Sequence, residues 1–169
     1  MHILIATTGV LSPGQTAALC RRLSDENTRI TVMTVIEVPR SFLGSMDEDE
    51  RRSFLRDGDW ETQTAELKAL GYLEERGRRA VEPIVSALTA ARMEPEVAFV
   101  EGTDPAEAII GAARDRGADL IVMGATKRLF TEQAWTSVSS RVMERTRCPL
   151  LLVPSPRTED GIEEARRES

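Results

Sequence analysis

The chain has 169 residues, 41% of them hydrophobic and 30% charged, close to ordinary globular usage, and this length corresponds to about one domain. A domain of this size buries roughly 70% of the surface that its unfolded chain exposes, so stapled miniprotein classes are excluded. With 22 Lys+Arg against 28 Asp+Glu the formal charge is -6, which repels a phosphate backbone and leaves no basic stripe to track one, so nucleic acid is a poor candidate partner.

No uninterrupted apolar run exceeds four residues, far short of a bilayer span. The opening Met1-His2-Ile3-Leu4-Ile5-Ala6 has no basic region, long apolar segment or cleavage pattern, and the expected location is cytoplasmic. The first strand is Ile3 to Ala6, an apolar run suited to burial on both faces. Ser12-Pro13 opens the first helix as cap and N1 proline, with Ala17, Leu19, Cys20 and Leu23 inward and an end near Ser24. Ile30 to Val38 is β-branched and stops at Pro39, which predicts the second strand.

Arg40 to Gly58, with the acidic run Asp47-Glu48-Asp49-Glu50, is expected to be a mobile polar connection. From about Asp59 to Arg92 the spacing of Leu67, Leu70, Leu73, Ala80, Val81, Ile84, Val85 and Leu88 predicts one long amphipathic helix, with a kink or break near Pro83. Val97 to Val100 is the third strand. Asp104-Pro105-Ala106-Glu107 combines an N-cap, an N1 proline and a reciprocal acid, Ala108, Ile109, Ala112 and Ala113 follow on one face, and Gly117 stops the helix. Leu120 to Met123 is the fourth strand. The last helix starts within Thr131 to Ser137, turning Trp135, Val138, Val142 and Met143 inward, and Leu150 to Val153 is the fifth strand. Ser155 to Ser169 reads as a charged, mobile tail. Strands alternating with helices predict an α/β fold, a single-domain three-layer α/β/α sandwich around a doubly wound, five-stranded parallel sheet.

The chemistry that the residues permit is narrow. His2 is the single histidine, which leaves little for a Ser-His-Asp or Cys-His apparatus. It also rules out a histidine metal cluster, and the run from Asp47 to Glu50 lacks the turn glycine of a calcium loop, so no metal is expected. Cys20 and Cys148 lack a CxxC or a metal-ligand cluster and are expected to be buried, reduced thiols. Neither GxGxxG nor GxxxxGK[ST] occurs. In open parallel sheets ligands sit at the carboxyl ends of the strands, where the winding reverses. Two loops qualify: Thr7-Thr8-Gly9-Val10, and the segment from Gly124 to Thr136-Ser137-Val138-Ser139-Ser140. There a helix start with hydroxyls could hold a phosphate beside Lys127 or Arg128, although capping of orphan amides is the simpler use of those side chains.

Several stretches together point to a family: Ile3-Leu4-Ile5-Ala6-Thr7-Thr8-Gly9, Thr34-Val35-Ile36-Glu37, Glu101-Gly102-Thr103-Asp104-Pro105-Ala106-Glu107-Ala108-Ile109, Gly117 to Gly124, and Ser137-Val138-Ser139 followed by Cys148-Pro149 and the last strand. Over residues 1 to 154 their order and spacing resemble the universal stress protein family. The resemblance implies a Rossmann-like sheet of order 3-2-1-4-5 and a homodimer through the last strand, with Leu150, Leu151, Leu152 and Val153 as the seam.

Nucleotide-binding members resemble one another in an aspartate after strand one and in G-x2-G-x9-G-[ST] after strand four. This chain has Thr8 at the aspartate position, Gly124 at the first glycine, Lys127 at the second and Thr136 at the third, with one residue fewer between the last two. Side chains at glycine positions narrow a phosphate cradle. The resemblance thus implies a candidate nucleotide site of Thr8, Val35, Met123, Gly124, Lys127, Ser137, Val138 and Ser139, with Val35 and Met123 against the base. The leading expectation is a homodimeric stress-response module with a degenerate nucleotide pocket, an unidentified regulatory protein partner and at most slow ATP hydrolysis. One alternative is a sensor that binds ATP or ADP through the altered loop. The other is a flavodoxin-like flavin carrier, which the 4% aromatic content disfavours.

Overall fold

A computed structural model describes residues 1–36, 65–125 and 137–154. β1 (His2–Ala6) is buried at every position and occupies the centre of the sheet. Its odd and even residues enter different cores, as the two-residue period of a strand requires. Ile3 and Ile5 join Val32 and Val122 on one face, while Leu4 and Ala6 join Met33, Ile121 and Met123 on the other.

The chain order is β1, α1 (Pro13–Leu23), β2 (Arg29–Ile36), α2 (Ala65–Ala90), β3 (Glu96–Glu101), α3 (Pro105–Asp115), β4 (Leu120–Ala125), α4 (Val138–Arg145) and β5 (Leu150–Pro154). All strand pairs are parallel and the sheet order is β3-β2-β1-β4-β5. Ile3 is in register with Ile30 on one side and Leu120 on the other. Cys20 of α1 and Val81, Ile84 and Leu88 of α2 cover the first face. Ile109 and Ala113 of α3 and Val142 of α4 cover the second. The result is the expected three-layer α/β/α sandwich, with the strand order that the family resemblance implied.

Several local expectations are corrected. α2 runs unbroken through Pro83; Pro83 and Arg79, whose carbonyl loses its helical donor, are both exposed, so water can take the place of the missing N–H. The strands are not all covered on both faces. β3 is an edge strand with Val97 45% exposed, and β5, the other edge, is only half-buried over Leu150 to Leu152. Met143 does not turn inward but is 53% exposed, because the short α4 directs Val142 into the core. Cys148 is half-buried, lying just before an edge strand, and its Sγ donates to the Ala118 carbonyl at 3.2 Å. Glu107 reaches Arg145 of α4 instead of closing a capping box. The connection 40–58, the start of the long helix before residue 65, Trp135 and the tail 155–169 lie outside the described residues.

His2 opens β1 instead of preceding it. It lies at the amino end of the sheet, where its Nδ1 is 3.1 Å from the Arg116 carbonyl and its Nε2 is 2.9 Å from Thr31 Oγ1. A carbonyl only accepts, so in the neutral ring Nδ1 carries the proton and Nε2 accepts from the hydroxyl. The ring ties β1 and β2 to the end of α3, far from the carboxyl ends of the strands.

Candidate functional site

The chain leaves the carboxyl ends of the paired strands β1 and β4 in opposite directions, since β1 leads to β2 on one side and β4 is followed by β5 on the other. A crevice of about 510 Å³ opens there, within the size range of small-molecule sites. Its floor is formed by Ala6 of β1 and Thr7 after it, by Thr34, Val35 and Ile36 of β2, and by Met123 and Gly124 of β4. One wall comes from α2 through Leu73, Arg76, Gly77 and Ala80. The opposite wall comes from the other helix layer: Pro105 and Ile109 of α3 and Ser137, Val138 and Ser139 at the start of α4.

Each wall is held by identifiable contacts. The loop after β1 is shaped by Thr7, whose Oγ1 accepts from the Gly9 amide at 3.0 Å, and Gly9 has φ +92°, a conformation that L residues rarely adopt. A Cβ built on Gly9 would lie 3.6 Å from the Ala80 Cα, so this loop runs directly against α2. Thr8, exposed at the mouth, keeps its hydroxyl free of partners among the described residues.

On the other wall, Ser137 caps α4, its Oγ accepting from the Ser140 amide at 3.2 Å and lying 3.1 Å from Ser139 Oγ. Capping is therefore a realised use of Ser137, as the residue types suggested, and the buried Ser139 hydroxyl lines the crevice beside it. Asp104 caps α3 by accepting from the Ala106 and Glu107 amides, and its second oxygen is 2.9 Å from Arg141 Nη1 of α4. This ion pair braces the starts of the two helices. Desolvation works against the Asp104 charge, but those two amides and the Arg141 guanidinium outweigh it and hold the carboxyl below its usual range.

Electrostatically the crevice differs from the chain as a whole. Its lining contains no Asp or Glu among the described residues, and Arg76 is its single charged group. Hydroxyls of Thr7, Thr8, Thr34, Ser137 and Ser139 alternate with apolar side chains. Among the described residues no three His, Cys, Asp or Glu gather to hold a metal, and no helix is long and apolar enough to cross a membrane.

Of the residues singled out in the sequence, Thr8, Val35, Met123, Gly124, Ser137, Val138 and Ser139 line this one crevice. Lys127 lies outside the described residues. Sequence reasoning did not find the α2 wall. Leu73, Arg76, Gly77 and Ala80 follow the i, i+3, i+4, i+7 spacing of an inward stripe, and the arginine set within it was the available signal. Pro105 and Ile109 were read as cap and core only.

A doubly wound parallel sheet with a cleft at its reversal point is the α/β architecture in which small ligands are commonly held. Comparison with known proteins specifies which kind. The sequence profile of the Universal stress protein family matches residues 1–154, and the chain belongs to that family. A universal stress protein of Methanocaldococcus jannaschii is 32% identical over 104 residues, a match that takes in 61% of this chain and about 57% of the relative's length. Among solved structures, a universal stress protein in complex with cAMP superimposes with a TM-score of 0.60 at 17% identity, covering 92% of this chain and 98% of that one. A family member from Arabidopsis thaliana with AMP bound gives a TM-score of 0.54 at 13% identity, with 94% of each chain covered. At such identities these two structures establish the shared fold.

Proposed function

We propose that this chain is a stress-linked regulatory module that responds to an adenine nucleotide held in the crevice and has no efficient catalysis of its own. The observation that carries the reading is the open crevice of about 510 Å³ at the reversal point, an apolar slot with hydroxyl groups at both ends. The bound cAMP and AMP of two relatives with this fold support the choice of adenine. In this reading Val35 and Met123 sandwich the base, and Thr8 offers a hydroxyl to the ribose where nucleotide-binding members carry an aspartate. The Gly124 backbone, the free amides at the start of α4 and the Ser139 hydroxyl receive the 5′-phosphate. In sequence Lys127 and Thr136 stand where the family pattern has glycines, and residues with side chains at such positions disfavour a cradle for three phosphates.

β5 supplies the second half of the reading. Among the described residues it pairs with β4 alone, and no strand lies on the other edge of Leu150, Leu151, Leu152 and Val153. An apolar edge strand left unpaired invites aggregation, and pairing with a second copy removes that hazard, so the proposed functional unit is a homodimer through this seam, presenting a nucleotide-dependent surface to a protein partner.

Calorimetric titration of the full chain with AMP, cAMP, ADP and ATP tests the nucleotide. AMP or cAMP should bind in the micromolar range and ATP more weakly, while absence of heat for all four at millimolar concentration refutes the reading. Light scattering on Leu151→Asp tests the seam, and a variant that stays dimeric rejects it.

A further inference from the structure

The α2 wall is the part of the crevice with its own chemistry. Along Glu74-Glu75-Arg76-Gly77-Arg78-Arg79 the acids are spent on two i, i+4 pairs, Arg78 with Glu74 at 2.9 Å and Arg79 with Glu75 at 3.0 Å. Arg76 is left without an ion pair among the described residues, and of these arginines it alone lines the crevice. Its place is defined by its neighbours. Ala80, one helical turn further on, touches the Thr7–Gly9 loop, and a Cβ on Gly77 would lie 3.3 Å from Thr34 Cγ2. Arg76 therefore stands over the ends of β1 and β2, on the helix layer opposite to Ser137 and Ser139.

Charge is uneven along the crevice. Thr8 at its mouth is neutral, no carboxylate lines it among the described residues, and the Arg76 guanidinium, without an ion pair among those residues, lines the α2 wall. A carboxylate beside a ribose accepts from its hydroxyl groups, whereas a guanidinium in that neighbourhood suits a ribose phosphate, which it can clasp through two parallel N–H donors. With the 5′-phosphate assigned to the α4 end, a second anionic group is the chemistry that Arg76 is placed to receive.

We propose that the crevice selects adenosine nucleotides phosphorylated on the ribose as well as at the 5′ position, and that Arg76 binds the ribose phosphate. This rests on the nucleotide reading above and deepens it from adenine nucleotide to adenosine bisphosphate. The alternation of an apolar slot between a cationic wall and a hydroxyl-rich helix start matches a ligand that is aromatic in its body and anionic at both ends.

The test is calorimetry on the full chain with three probes: 5′-AMP, adenosine 3′,5′-bisphosphate and adenosine 2′,5′-bisphosphate. At least one bisphosphate should bind about tenfold or more tightly than AMP, the usual scale of an added charge-assisted pair. Arg76→Gln should erase that advantage while changing AMP affinity less than about threefold, and Arg76→Lys should keep part of it. Arg79→Gln, which removes a cation outside the crevice, should leave the ratio unchanged. Equal binding of AMP and both bisphosphates by the wild-type chain overturns this proposal and leaves the nucleotide reading standing. So does an Arg76→Gln variant that loses AMP and bisphosphate affinity alike, which would put the arginine against the 5′-phosphate. If none of the three binds, the nucleotide reading fails first and this one with it. Circular dichroism and melting of each variant confirm that the exposed substitutions leave the fold intact.

Discussion

Two glycines inside helices provide an internal control on how closely α2 lies against the sheet. A Cβ on Gly77 of α2 would meet Phe99 Cδ1 and Cε1 at 3.2 Å and Thr34 Cγ2 at 3.3 Å, whereas a Cβ on Gly111 of α3 would have nothing within 4 Å. Both substitutions to alanine gain the same helix-propensity benefit, about 1 kcal/mol. At Gly111 nothing opposes it, so Gly111→Ala should stabilise the protein by about 1 kcal/mol. At Gly77 the new methyl must displace a packed ring edge and a β-branched side chain, and overpacking of this kind costs about 1–3 kcal/mol. Gly77→Ala should therefore lie between neutral and about 2 kcal/mol less stable, separating the pair by about 1–3 kcal/mol. At about 2–4 °C per kcal/mol for a chain of this length, Gly111→Ala melts about 2–4 °C higher and Gly77→Ala up to about 8 °C lower. Urea titration at constant m-value, with the thermal midpoint as a second measure, reads both variants. A Gly77→Ala protein stabilised as much as Gly111→Ala would refute the close approach, and with it the placement of Arg76 and Ala80 along the crevice wall.

Four further outcomes are expected. Ser137→Ala removes the acceptor for the Ser140 amide and should cost about 1 kcal/mol in urea unfolding, with Ser137→Asp retaining most of it. Arg92, in the turn that follows α2, has φ +63°, with its amide on Thr89 O and that of Met93 on Leu88 O, so Arg92→Gly should raise stability by about 1 kcal/mol; an unchanged urea midpoint would contradict a strained turn. Asp104 has its pKa lowered below the ordinary 3.8 in the folded chain, so its contribution to stability is complete above that pH and is lost as pH falls through the folded value. Asp104→Asn should flatten the stability–pH curve below about pH 4, and a slope equal to wild type would show that the brace to Arg141 is not what titrates. Burial pushes the Cys20 thiol up to about 11, and burial with the nearby Asp119 charge also raises Cys148. A thiol-reactive probe at pH 8 should label the half-buried Cys148 slowly and Cys20 only on unfolding, as mass spectrometry of the labelled chain would show.

Much of this architecture was legible in the residues because its signals are local. An apolar run such as Ile3 to Ala6 marks a strand, and Asp104-Pro105 with Gly117 brackets a helix through cap geometry alone: Gly117 sits at φ +61°, and the Gly117 and Ala118 amides close onto Arg114 O and Ala113 O. The alternation of the two element types then implies a parallel sheet. Seven candidate residues distant in the chain, from Thr8 to Ser139, line one crevice because the ends of β1, β2 and β4 converge on the winding reversal, a property of topology that a family likeness carries.

What remained hidden depended on distances between elements. The sequence could not say that α2 would stay helical through Pro83, since that turns on which side of the helix meets water. Nor could it say that Val97 and Met143 would be exposed, since hydrophobicity marks a residue as fit for burial but not as close enough to a neighbour to be covered. The Arg76 wall exists because Gly77 lets α2 approach Thr34 and Phe99 while Gly9 turns the β1 loop onto Ala80. Local propensity and periodicity thus determined the elements and their order. Only packing of the helix layers on the sheet decided which side chains face the crevice, because that depends on where two surfaces touch.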